Sequence, residues 1–230
     1  MRKYDVLLSD ADGTLFDFHA GEKAALWEVL KGYGLPSGDE VIAQYSAIND
    51  SHWKKLERGE TTQARLRVER FADFLEAIGG EENPEEMCNL YVEKLGQQRV
   101  LLPGAEEFCR RISRHMPIFL VTNGLSKVQR SRFEGCAIAP YLKGFVISEE
   151  IGHQKPEPHM LEEALRQLGV SDCRRAVVLG DSITADIGAA KNAGMDSVLF
   201  TNGKAAPQGH GADYVAQTYG DAEKWILQEG

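Results

Sequence analysis

Short, unbroken apolar runs punctuate the chain at Val6-Leu7-Leu8, Ile118-Phe119-Leu120-Val121, Phe145-Val146-Ile147, Ala176-Val177-Val178-Leu179 and Val198-Leu199-Phe200, with a weaker one at Tyr214-Val215-Ala216. None alternates apolar with polar, and each is followed by polar or glycine-rich residues. That pattern suits strands covered on both faces, as in a parallel sheet. Between runs the period becomes helical. Leu161, Ala164, Leu165 and Leu168 fall at i, i+3, i+4 and i+7, and Gly169 is placed to end that helix. The alternation predicts a doubly wound α/β fold with a mostly parallel sheet and right-handed crossovers, finished by a helix around 222–227.

One stretch breaks the rhythm. From Phe16 to Leu101 no strand pattern is evident, and four apolar stripes recur at helical spacing: Leu26/Val29/Leu30/Tyr33, Val41/Tyr45/Ile48, Phe71/Phe74/Leu75/Ile78 and Met87/Leu90/Tyr91. Glycine-rich breaks separate them, and Ser37 with Glu40 reads as a capping box. The expected organisation is an α/β core from 1–15 and 102–230 and a helical cap from 16–101. An insert following the first strand would sit over the carboxyl edge of the sheet, where a lid is useful.

Charge and cysteine content narrow the function. At 230 residues with a net charge of −9 and no Lys/Arg run, the chain lacks the basic patch that a nucleic-acid polymer requires. No apolar stretch approaches the ~20 residues of a membrane span. Asp5 and Asp10 interrupt the opening apolar segment, so no secretory peptide is read there. Cys88, Cys109, Cys136 and Cys173 are widely spaced, which fits reduced thiols and a cytoplasmic location. The six histidines show no metal-ligand spacing and read as surface or loop residues.

Four polar motifs follow apolar runs in a set order: Asp10-Ala11-Asp12-Gly13-Thr14, Thr122-Asn123-Gly124, Lys155-Pro156, and Gly180-Asp181 with Asp186 behind it. In open α/β sheets ligands bind beyond the carboxyl ends of strands, so all four can converge on one crevice. Phosphoryl transfer accounts for the residue types. Asp10 would attack phosphorus and form an acyl-phosphate that water then splits. Asp12 would protonate the leaving oxygen and afterwards activate the water. Thr122, with the Asn123 and Gly124 amides, would bind phosphate oxygens, and Lys155 would stabilise the transition-state charge. Two carboxylates beside a phosphate dianion call for a cation. Mg²⁺, or Mn²⁺ in its place, would be held by Asp10, Asp181 and the backbone carbonyl of Asp12, with Asp186 behind them.

Singly, each motif has a plainer explanation: a solvated turn, a strand-end hydroxyl, a surface lysine, an aspartate at a helix start. Their joint order is what makes the site. DADGT, VTNG, the Lys-Pro of HQKPEP and GDSITADIGAAKNAG resemble the four motifs of the haloacid dehalogenase-like phosphatases. That resemblance implies a Rossmann-like core, a helical cap between the first two motifs and a Mg²⁺-dependent phosphatase. The segments around Ala47-Ile48-Asn49, Trp53 and Ile147–Gly152 are most similar to the branch of 5′-nucleotidases acting on pyrimidine and non-canonical nucleotides. Ser9 stands where relatives more often carry an apolar residue. The implied partner is a small phosphorylated metabolite, a nucleoside monophosphate by this resemblance, handled by a monomer or small homo-oligomer.

Phe16, Phe18 and Trp53 read first as packing residues. Stacking of Phe16 or Trp53 on a base, with Asn49 as a polar partner, is the substrate-binding alternative. A sugar-phosphate phosphatase or a phosphomutase would use the same aspartates, and a phosphonate hydrolase would need a cap lysine such as Lys23, Lys54 or Lys55. A haloalkanoate dehalogenase would give Asp12 no oxygen to protonate. A non-catalytic phosphate-sensing module is the remaining alternative, although receiver domains are shorter and lack both the insert and Asp12.

Overall fold

A computed structural model of the protein describes residues 3–228. Its centre is a six-stranded, all-parallel sheet in the order β3-β2-β1-β4-β5-β6, with β1 Val6–Ser9, β2 Ile118–Thr122, β3 Leu142–Ile147, β4 Ala176–Gly180, β5 Asp196–Phe200 and β6 Tyr214–Ala216. All six apolar runs are strands, which makes the doubly wound α/β reading correct. Alternate residues of each strand bury opposite faces. Leu7, Ile118, Leu120, Val177, Leu179 and Val198 join one core. Val6, Leu8, Phe119, Val121, Val146 and Val178 join the other. Both faces need apolar cover, so no polar alternation marks these strands.

The first core is covered by α5 (Ala105–Ile112) and α10 (Tyr219–Leu227), and the second by α8 (His159–Leu168) and α9 (Gly188–Ala193). The helix read from the Leu161 stripe is α8, which ends as expected at left-handed Gly169. Two short connecting helices complete the carboxyl side of the sheet: α6 (Ser126–Gly135) after β2 and α7 (Ser148–Ile151) after β3.

The segment after β1 forms four helices: α1 Phe18–Tyr33, α2 Asp39–Glu57, α3 Gln63–Ile78 and α4 Pro84–Gln97. They share a core of their own, centred on Tyr45, Phe71, Phe74 and Tyr91, whose rings lie 5.1–5.5 Å apart. Such aromatic pairs add to the stabilisation from buried area. An antiparallel bridge between Phe16 and Leu101 closes the stem of this insert. Ser37 and Glu40 form no capping box: α2 starts at Asp39 behind Gly38, which offers no side-chain cap.

The buried face of α2 also differs from the expected stripe. It runs Ile42, Tyr45, Asn49, His52 and Leu56, whereas Val41 and Ile48 lie at its margin. Asn49 and His52 are buried because other helices supply their partners. Asn49 donates to Glu22 (2.9 Å) and accepts from Arg70 (2.7 Å), and Ser46 donates to Glu22 (2.5 Å). His52 Nε2 pairs with Asp73 at 2.8 Å, which corrects the surface reading of that histidine. Burial raises the Glu22 carboxyl above its ordinary range, with Ser46 opposing. Among the described residues, no helix is long and apolar enough to cross a membrane.

Candidate active site

The first motif begins where β1 leaves the sheet. The Asp10 N–H still donates to Leu179 O (2.8 Å), which holds the residue at the sheet edge with its side chain almost wholly buried. The chain then folds back sharply: Gly13 N donates to Phe16 O at 3.0 Å. Gly13 has φ +85°, and a Cβ there would lie 2.3 Å from Asp181 Oδ2. This position therefore demands glycine twice, for the left-handed backbone and for the approach of Asp181. Gly13→Ala should lower phosphate-releasing activity by about 100-fold while circular dichroism shows the fold retained. Unchanged activity would mean that Asp181 can move without consequence.

Lys155 is the hub of the site. Its buried Nζ donates to Asp10 Oδ1 (2.7 Å), Asp186 Oδ1 (2.6 Å) and Val121 O (2.7 Å). Three acceptors satisfy all three ammonium protons. Burial alone would lower the Lys155 pKa, but the Asp10 and Asp186 carboxylates hold it above its usual value. Asn123 positions this lysine through its main chain: Lys155 N donates to Asn123 Oδ1 (2.8 Å) and Asn123 Nδ2 donates to Lys155 O (2.9 Å). The Asn123 side chain thus stitches the loop after β2 to the loop after α7. Thr122 Oγ1 accepts from Gly124 N at 3.0 Å, shaping the same loop. Asp186 also accepts from Ser182 N (3.0 Å).

The carboxylates of Asp10, Asp181 and Asp186 present oxygens within 4.8 Å of one another. Burial, with Asp186 adding to it and Lys155 opposing, pushes the Asp10 carboxyl up to about 7. Burial and the Asp10 charge push Asp181 up to about 8. Asp181 faces the cleft, where the three carboxylates share a single lysine. A crowded set of hard oxygen donors raised in this way fits a divalent cation such as magnesium.

Asp10, Asp12, Thr122, Asn123, Gly124, Lys155, Asp181 and Asp186 all line one cleft, together with Trp53. Two of the substrate-binding expectations fail. Phe16 is fully buried under the sheet edge against Phe133, at 5.9 Å between ring centroids, and Phe18, at the start of α1, reaches the cleft instead. Asn49 is fully buried between Glu22 and Arg70 and does not line the cleft.

The cleft face of α2 carries Asp50, Trp53, Lys54 and Glu57, spaced i, i+3, i+4 and i+7. This second stripe, flanking the buried one, was the available signal for Asp50 and Glu57. Glu57 also accepts from Thr184 at 2.5 Å, Leu56 O accepts from Gln154 at 3.1 Å, and Gln63 donates to Asn123 O and Ser148 Oγ, both at 2.9 Å. These contacts seat α2 and α3 on the sheet edge.

Asp12 is gripped from below by two residues of α6 that the sequence did not single out. Gln129 Nε2 donates to Asp12 Oδ2 (2.5 Å) and Arg132 Nη1 to Asp12 Oδ1 (2.6 Å). A second group with metal-ligand chemistry, His153, Glu157 and His159, lies outside the cleft; Glu157 pairs with His153 at 2.7 Å and with His159 at 3.5 Å, and all three are exposed. These three fall within seven residues of the chain.

A parallel sheet whose carboxyl edge gathers four aspartates, a threonine and a buried lysine under a helical insert defines an α/β enzyme with a carboxylate-rich centre. The family model of haloacid dehalogenase-like hydrolases matches residues 4–194, and the chain belongs to that family. The pyrimidine 5′-nucleotidase PynA of Streptococcus pneumoniae is 31% identical over 198 residues, covering 86% of this chain and 84% of that protein. The pyrimidine 5′-nucleotidase YjjG of Escherichia coli is 28% identical over 227 residues, covering 98% and 99%. The crystal structure of the HAD-hydrolase YfnB of Bacillus subtilis, bound to magnesium, superposes with a TM-score of 0.89 at 26% identity, covering 98% of this chain and 99% of that one.

Proposed function

We propose that the protein is a Mg²⁺-dependent phosphatase that hydrolyses nucleoside 5′-monophosphates through an aspartyl-phosphate on Asp10, with the helical insert acting as its cap. The convergence of Asp10, Asp12, Thr122 and Lys155 on one cleft carries this reading. The near full-length similarity to two pyrimidine 5′-nucleotidases supports the substrate class.

Lys155 engages Asp10 Oδ1, so Oδ2 is the oxygen assigned to attack. A bond forms between Oδ2 and phosphorus while the bond from phosphorus to the nucleoside oxygen breaks, and Asp12 gives its proton to that oxygen. In the second half, water attacks phosphorus, Asp12 takes back a proton, and the bond to Asp10 breaks to release inorganic phosphate. Thr122 and the loop at Asn123–Gly124 would orient the phosphoryl oxygens, and Lys155 would offset their charge. Asp10, Asp181 and the Asp12 carbonyl would hold the metal, with Asp186 behind, and the bound ion would supply positive charge against the phosphate. Trp53 and Phe18 offer apolar surface for a base, and Asp50 and Glu57 offer hydrogen-bond acceptors at the cap side.

The test is inorganic phosphate release from nucleoside monophosphates, sugar phosphates and phosphoserine, with Mg²⁺ and with EDTA. The expected result is metal-dependent release with kcat/KM at least ~10-fold higher for pyrimidine nucleotides than for sugar phosphates. Preference for sugar phosphates would discard the nucleotide assignment, and no release from any of them would discard hydrolysis.

A further inference from the structure

We infer that Gln129 and Arg132 are positioning residues that aim Asp12 for proton transfer to the leaving group; this rests on the phosphatase reading above. Both Asp12 carboxylate oxygens are taken, Oδ2 by Gln129 and Oδ1 by Arg132. Two donors, one on each oxygen, fix the plane of a carboxylate that would otherwise rotate at the cleft edge. The grip is itself held firmly. Arg132 is 2% exposed, and its guanidinium lies 4.4 Å from the Phe16 ring centroid, between that ring and Asp12. Phe16 in turn closes the turn that follows Asp12. Gln129 is 1% exposed, and it fits only because Gly124 has no side chain: a Cβ there would lie 2.1 Å from Gln129 Nε2.

Fold stability alone does not account for this pair. Arg132 Nε and Gln129 Oε1 are buried without a hydrogen-bond partner among the described residues. Unpaired buried polar atoms of this kind destabilise, and apolar side chains of similar volume would fill such a site without that cost. Both residues lie on α6, which follows Thr122-Asn123-Gly124 directly. One helix therefore ties the phosphate-facing loop to the proton donor.

The experiment compares wild type with Gln129→Leu, Arg132→Met and Arg132→Lys on p-nitrophenyl, phenyl and alkyl phosphates. It reads kcat/KM, which reports transfer to Asp10, against the pKa of the leaving group. Loss of aim should cost about 10–100-fold on alkyl phosphates, a part of the 10²–10⁴-fold that a general acid contributes, and under about 3-fold on p-nitrophenyl phosphate, whose phenolate leaves without a proton. Arg132→Lys should recover part of the loss. An equal loss across the series, or an unchanged slope in both Gln129→Leu and Arg132→Met, overturns the inference. Gln129→Leu introduces no charge change and keeps the volume, so it remains informative if Arg132→Met fails to fold. Wild type that releases phosphate from none of the three esters would instead overturn the phosphatase reading.

Discussion

Asp10→Asn is expected to abolish phosphate release, by about 10⁴-fold or more, while leaving the fold intact. An amide oxygen is too weak a nucleophile to take up phosphorus, so no covalent intermediate can form. The geometry should survive, because Asn Oδ1 can still accept from Lys155 Nζ as Asp10 Oδ1 does at 2.7 Å. Lys155 also keeps the Asp186 carboxylate as a charged partner at 2.6 Å, so a neutral group at position 10 leaves no buried cation uncompensated. Circular dichroism and the melting temperature should match wild type or exceed it. Phosphate release and phosphorylation of the intact chain by mass spectrometry are the two readouts. Activity near wild type, or a phosphorylated chain in the variant, would remove Asp10 from the role of nucleophile.

Lys155→Met should disable the protein in two separable ways. Nζ is the buried cation between Asp10 and Asp186, and Val121 O also depends on it. Removing one partner of a buried ion pair leaves charge uncompensated, at a cost of about 3–5 kcal/mol. Activity should fall by about 10³-fold through loss of transition-state charge stabilisation. Adding Asp186→Asn removes one of the stranded carboxylates. The Lys155→Met/Asp186→Asn double variant should therefore recover much of the melting temperature and none of the activity. A single variant as stable as wild type would show that the three-way contact carries no structural weight, and recovery of activity in the double variant would remove Lys155 from the chemistry.

Legibility in the sequence followed the range of the interactions involved. Strands buried on both faces announce themselves through uninterrupted apolar runs, because every side chain must be apolar whichever way it points. The polar motifs were readable because they follow such runs, where a parallel sheet opens its carboxyl edge. Helix α2 was harder to read. Its inward face includes Asn49 and His52, which are acceptable there only because Glu22, Arg70 and Asp73 arrive from α1 and α3. Phe16 and Phe18 could not be told apart either. Whether Phe16 or Phe18 faces the cleft depends on where the turn after Asp12 ends and where α1 begins.

The amino-acid sequence by itself determined the sheet, the order of its motifs and the polar groups those motifs bring to its carboxyl edge, since those follow from local apolar patterning and residue chemistry. Tertiary structure decided which face α2 turns to the cleft, that Asn123 braces the Lys155 loop, and that Gln129 and Arg132 close on Asp12 from more than a hundred residues away. A buried polar residue is defined by its partner, and a partner supplied by a distant segment leaves no periodic trace in the chain around it.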